Sequence, residues 1–141
     1  MKSAKWMLPV TLMLLSGLMA AQSLTSSHVV AQVPFDFMVG NKIIPAGECI
    51  VRSTGMDGQI LAIRNFDARK SALAPSSHAE ENQVADSTLL VFKVYGKQYF
   101  LSEIRLEGSR WTYKLPESRA EAELRAQKAP ASQQTLLASL Q

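Results

Sequence analysis

Val33, Phe35, Phe37 and Val39 are bulky and apolar, and Pro34, Asp36, Met38 and Gly40 stand between them. A repeat of two that gathers the large side chains into one set is the pattern of a strand with one buried face. Gly40-Asn41 interrupts the repeat. Pro45-Ala46-Gly47 then supplies a corner before CIVRS, Cys49 to Ser53. Proline presets φ at the first corner position and glycine accepts a positive φ after it. Asp36 falls on the face opposite the two phenylalanines. The alternation therefore predicts a solvated carboxylate, or one bonded to a nearby turn amide, and not a catalytic acid.

The same reading continues along the chain. A turn around TGMDG leads to the strand Gln59 to Asn65, and a polar turn at Asp67 to Lys70 leads to a weak strand, Ser71 to Ala74. From Pro75 to Ser87 periodicity is lost, which predicts the longest loop of the domain. Thr88 to Tyr95 and Gln98 to Glu107 are joined by Gly96-Lys97, with glycine in the first central place of a type II′ hairpin turn. Counting back from that turn sets Val94 against Tyr99, Phe92 against Leu101 and Leu89 against Ile104. Apolar residues occupy both faces near the turn, so the pair belongs in the middle of a sandwich or in a small barrel.

Arg110 to Leu115 reads as a last strand, stopped by Pro116. Ser118 and Glu121 have the spacing of a capping box and predict a helix over 119–128, whose narrow apolar side, Ala120 and Leu124, rests on the domain edge. Residues 129–141 are polar apart from Leu136, Leu137 and Leu140 and are expected to be disordered. The fold class that follows is mainly β: a small antiparallel β-sandwich or barrel of about six to seven strands with one C-terminal helix, in a single domain over 32–128.

Lys2 and Lys5 precede an apolar run, Trp6 to Ala21, that ends in small residues, which is the layout of an export signal. The run is short for a membrane-spanning helix, which needs about 20 apolar residues, and it contains Pro9. Residues 1–21 are therefore expected to be a signal peptide, with cleavage after Ala20 or Ala21, or as late as Ala31; residues 22–31 are expected to be flexible. This placement changes the meaning of the charge. The chain has 15 Lys plus Arg against 12 Asp plus Glu, and removing Lys2 and Lys5 leaves 13 against 12. No basic block remains for a phosphate backbone, so nucleic acid is not an expected partner.

Candidate chemistry is sparse. Cys49 is the only cysteine, which excludes an internal disulfide, and its strand-like neighbours predict a buried, inert thiol; an exposed side chain would leave a disulfide between chains open. His28 lies beside the cleavage zone and His78 in the predicted loop. No H-x-x-x-H, C-x-x-C, H-E-x-x-H, G-x-S-x-G or glycine-rich phosphate loop occurs. No catalytic, cofactor-binding or metal-binding residue is assigned and no cofactor is expected.

The segments VPFDFMVGNKIIPAGECIV, LAIRN, YFLSEI and LPESRAEAEL resemble those of a largely uncharacterised group of small exported β-rich proteins frequent in acidobacteria. The likeness covers about Gln32 to Gln127. In that group the corner usually reads PAGEY, so Cys49 stands where an aromatic is common, which argues against a required thiol. The resemblance implies an exported β-rich domain with a C-terminal helix and supplies no reaction. The expected function is a non-catalytic binding or structural module, envelope-associated or extracellular, with an envelope component or another protein as partner. One alternative is a barrel carrier of an apolar small molecule, suggested by Phe35, Phe37, Phe92, Tyr99, Phe100 and Trp111. Another is a hydrolase using His78 with Glu80 or Glu81.

Overall fold

The computed structural model describes residues 27–54 and 57–141, so the expected signal peptide lies outside the described residues. The chain is mainly β, with eleven strands and one short helix among the described residues. The strands are β1 (Val29–Val33), β2 (Phe37–Val39), β3 (Lys42–Ile44), β4 (Gly47–Thr54), β5 (Ile60–Asn65) and β6 (Lys70–Pro75). They continue with β7 (Ser77–Glu80), β8 (Thr88–Tyr95), β9 (Gln98–Arg105), β10 (Trp111–Lys114) and, after helix α1 (Arg119–Ala126), β11 (Ala131–Leu140).

The expected six to seven strands are corrected to eleven among the described residues, and one of the added strands is β3, which pairs with β2 just past the Gly40-Asn41 interruption. The alternating run from Val33 to Val39 is not one strand. It bends at Pro34–Asp36, because proline has no N–H for a ladder, and so divides between β1 and β2. Ser77–Glu80, read as loop, forms β7 against β10. Ala131–Leu140, read as disordered, forms β11 against β8, and the segment expected to be flexible already enters β1 at Val29. For β7, β11 and the start of β1, main-chain pairing with a distant segment replaces the side-chain alternation on which a sequence reading depends.

Neighbouring strands follow the order β3-β2-β9-β8-β11-β1-β4-β5-β6, and the outermost strands β3 and β6 approach one another, so the sheet is barrel-like and nearly closed. All pairings are antiparallel except β2 with β9, which the bend at Pro34 makes parallel. β10 continues the sheet beyond the far half of β9 and carries β7 on its other edge. The inward set, including Val33, Phe37, Val39, Ile44, Ile63, Leu90, Phe92, Leu101 and Ile104, is buried as the alternation predicts. Each large side chain of this set contributes about 2–3 kcal/mol through apolar burial.

Leu101 and Ile104 are three apart, yet both point into this core. A bulge allows it. Val94↔Tyr99 and Phe92↔Leu101 pair as counted from the turn, but the register shifts between Val91 and Phe92, leaving Ser102 as the extra residue of β9. Beyond it, Leu90 faces Ile104 and Leu89 faces Arg105, which corrects the expected Leu89 partner. A strict ladder would have turned Ile104 outward. Ser102 also offers its carbonyl to the Leu115 amide at 2.9 Å.

One end of the barrel is shut by the corner. Asn65, fully buried at the end of β5, donates through Nδ2 to the carbonyls of Pro45 (2.8 Å) and Ala46 (3.2 Å), while its Oδ1 accepts from the Ala68 amide (3.1 Å). The Asp36 carboxylate accepts the Ala46 amide at 2.8 Å, so this residue is a turn clamp. Gly47 has φ of +138°, and a Cβ there would meet Asn65 Nδ2 at 3.2 Å. Phe35 stacks on Tyr99 with centroids 3.7 Å apart and meets Phe92 edge-on at 5.0 Å, filling the same end.

Helix α1 begins where the capping signal placed it, with Ser118 Oγ accepting the Glu121 amide at 3.2 Å. Its docking differs from expectation. The residue it buries is Glu121, while Ala120 and Leu124 stay partly exposed. The Glu121 carboxylate accepts the Tyr95 hydroxyl at 3.1 Å and lies 3.7 Å from Lys93 Nζ. Tyr95 packs edge-on to Phe100, so the outer apolar face of the β8–β9 hairpin is held beneath the helix. Burial, then the Glu121 carboxylate, push the Tyr95 hydroxyl above its ordinary pKa.

Candidate functional site: an aromatic mouth

The opposite end of the barrel has no such plug. β10 pairs Tyr113 with Ile104 of β9 on one side and with His78 of β7 on the other, so three side chains from separate parts of the chain share one face. Ile104 belongs to the core, and Tyr113 carries that apolar surface outward. The His78 ring meets Tyr113 edge-on with centroids 4.6 Å apart. Trp111, two residues before Tyr113 on the same face, is 51% exposed. Its position is fixed by the preceding turn, in which Ser109 Oγ accepts the Trp111 amide at 3.0 Å.

These groups enclose an open cleft of about 370 Å³ lined by His78, Leu106, Ser109, Trp111 and Tyr113. Leu106 and Tyr113 also line a narrow opening of about 60 Å³ into the barrel end, bordered by His28, Val29 and Leu140. His28 sits there because its amide and carbonyl pair with those of Gln141 at 2.7 and 2.8 Å, an extension of the β1–β11 ladder. The two histidines, far apart in sequence, therefore stand at the same end of the barrel. A shallow apolar cleft with a few polar groups on its rim suits the aromatic or aliphatic part of a ligand or partner.

Of the residues weighed as catalytic, Glu80 pairs with Trp111 and shares the β7 face of His78, whereas Glu81 does not join them. Glu81 lines a separate groove of about 530 Å³ with Asp86 and Arg105, and among the described residues no hydrogen bond joins His78 to Glu80 or Glu81. Glu103 is engaged by Arg105 at 3.1 Å and Lys114 at 4.0 Å. No group of three or more His, Cys, Asp or Glu positioned for a metal occurs among the described residues. Cys49 is wholly buried in β4, and its thiol is pushed up to about 11 by desolvation and by the charge of Glu48. The thiol is inert and out of reach of a second chain.

The aromatics suggested for a carrier divide. Phe35, Phe37, Phe92 and Tyr99 pack in and against the core, Phe100 meets Tyr95 on the hairpin's outer face, and only Trp111 reaches the cleft. Leu106 and Tyr113 had no signal marking them as site residues; strand parity placed Leu106 on a dry face without showing what it would meet. Comparison of the chain with protein-family models, curated proteins and solved structures gives no match.

Proposed function

We propose that the protein is an exported, non-catalytic binding module of the periplasm or cell exterior, and that it engages its partner through the aromatic mouth. The half-exposed Trp111 carries this reading. A large indole on a fixed strand, beside Tyr113 and Leu106, costs solvation without adding to the core, which is the economy of an interaction site. The barrel interior is filled by Phe35, Phe37 and Phe92 and their neighbours, so we favour contact at the rim over a ligand enclosed inside. Kinship with the small exported acidobacterial proteins belongs to the same proposal, as does a role without chemistry for His78.

The reading also selects among cleavage positions. Val29 and Ala31 are buried in β1, so we propose removal of the leader after Ala20 or Ala21, which keeps that strand whole. Mass spectrometry of the exported protein should find a first residue of Ala21 or Gln22; a start at Gln32 would refute this part. For the mouth, mild cross-linking of the intact envelope should recover a partner with the native protein and lose it with Trp111→Ser. Equal recovery with both proteins, or none with either, would remove the proposal.

A further inference from the structure

β11 pairs with β8 from Ala131 to Ala138, but with β1 only at Leu140 and Ser139. Beyond Val30 the two strands diverge around a cleft of about 400 Å³ lined by Val30, Ala31, Gln32, Leu137 and Ala138, with Glu48 of β4 on its far side. Among the described residues the strand beside this edge is β1, and it pairs only at Ser139 and Leu140, which leaves Ala131–Leu137 without a ladder on that side. Such an edge presents unpaired amides and carbonyls to any chain able to meet them. The other edges are guarded. β3 has three residues and carries Lys42; β6 starts at Lys70, ends at Pro75 and has β3 against it; β7 has four residues and carries Glu80. By contrast, Ala131 to Gln141 contains no charged residue and no proline, and Leu137 is 74% exposed.

We infer that this edge pairs antiparallel with the same edge of a second copy, joining two barrels through a continuous sheet. A two-fold contact brings each side chain near its axis against its own duplicate, so a charge there meets a like charge. The middle of β11, Gln133 to Thr135, carries none. A two-fold axis at Gln134 places Ala131 against Leu137 and Ser132 against Leu136, small residues beside large ones, and amide side chains meet at the centre. The contact is narrower than a standard interface, so the dimer is reversible and depends on concentration.

Sedimentation of the exported protein over a concentration series tests this inference. The native protein is expected to dimerise. Gln134→Lys and Gln134→Glu, each alone, should weaken the dimer by about tenfold or more, and their equal mixture should restore it as a mixed pair. Gln134→Cys should cross-link to itself on mild oxidation, with the buried Cys49 silent. Gln134 is exposed, and unchanged circular dichroism would show that each variant folds. A native protein that stays monomeric, a dimer indifferent to Gln134→Lys, or a mixture that fails to recover would overturn the inference. Trp111→Ser leaves this dimer intact, so the two proposals fail separately.

Discussion

The two ends of the barrel use aromatic side chains for different purposes. At the corner end Phe35 lies between Tyr99 and Phe92, and Asn65 and Asp36 bind the main chain around it. At the mouth Tyr113 and Leu106 continue the core outward, and Trp111 stands half in solvent over an open cleft. Rings at the first end are explained by the stability they confer. At the second end core packing accounts for Ile104 and part of Tyr113, and leaves Trp111 unexplained. An aromatic held rigidly where the core does not require it is the feature on which the proposed contact rests.

Substitutions at the two ends should therefore separate stability from binding. The greatest loss is expected for Phe92→Ala, about 4 kcal/mol in urea denaturation, because it empties the centre of the ring cluster. Asn65→Ala should cost about 3 kcal/mol by the same measurement, since it strands buried partners of the corner. Alkaline pH acts on Cys49. Its thiol is raised in the folded state from 9.0 to about 11, so the protein is fully stabilised by this group below pH 9 and loses that contribution as pH rises through 11. The loss is on the order of 2.5 kcal/mol, and Cys49→Ala should flatten the corresponding slope of stability against pH. Trp111→Ser should change stability by about 0.5 kcal/mol or less while abolishing partner capture. A Trp111→Ser protein that unfolds as readily as Phe92→Ala would erase the distinction between the ends.

Much of the fold was legible locally. Thr88–Tyr95 forms the strand that the alternation and the Gly96-Lys97 turn define, and Ser118 caps α1 as the spacing indicates. Glycine at the first central place, with φ of +63°, suits the II′ turn that the sequence specified. β7 and β11 were not legible, because an edge ladder rests on main-chain bonds and asks little of its side chains. The bulge at Ser102 was hidden for a related reason: the hairpin turn sets register only until an extra residue resets it. Of the mouth, Trp111 and His78 could be singled out, but nothing placed His28 at the same end.

What the amino-acid sequence determined by itself is the set of side chains that turn inward, the sites of the turns, the helix start and the lack of any catalytic motif, since each depends on neighbours a few residues away. Which strands lie side by side, where the sheet remains open and which aromatics are left outside the core were decided only by the tertiary structure. Those features arise from pairings such as Val29 with Leu140 and Tyr113 with His78. Their contacts must offset the entropy lost in closing the chain over long separations, and no local pattern records that balance.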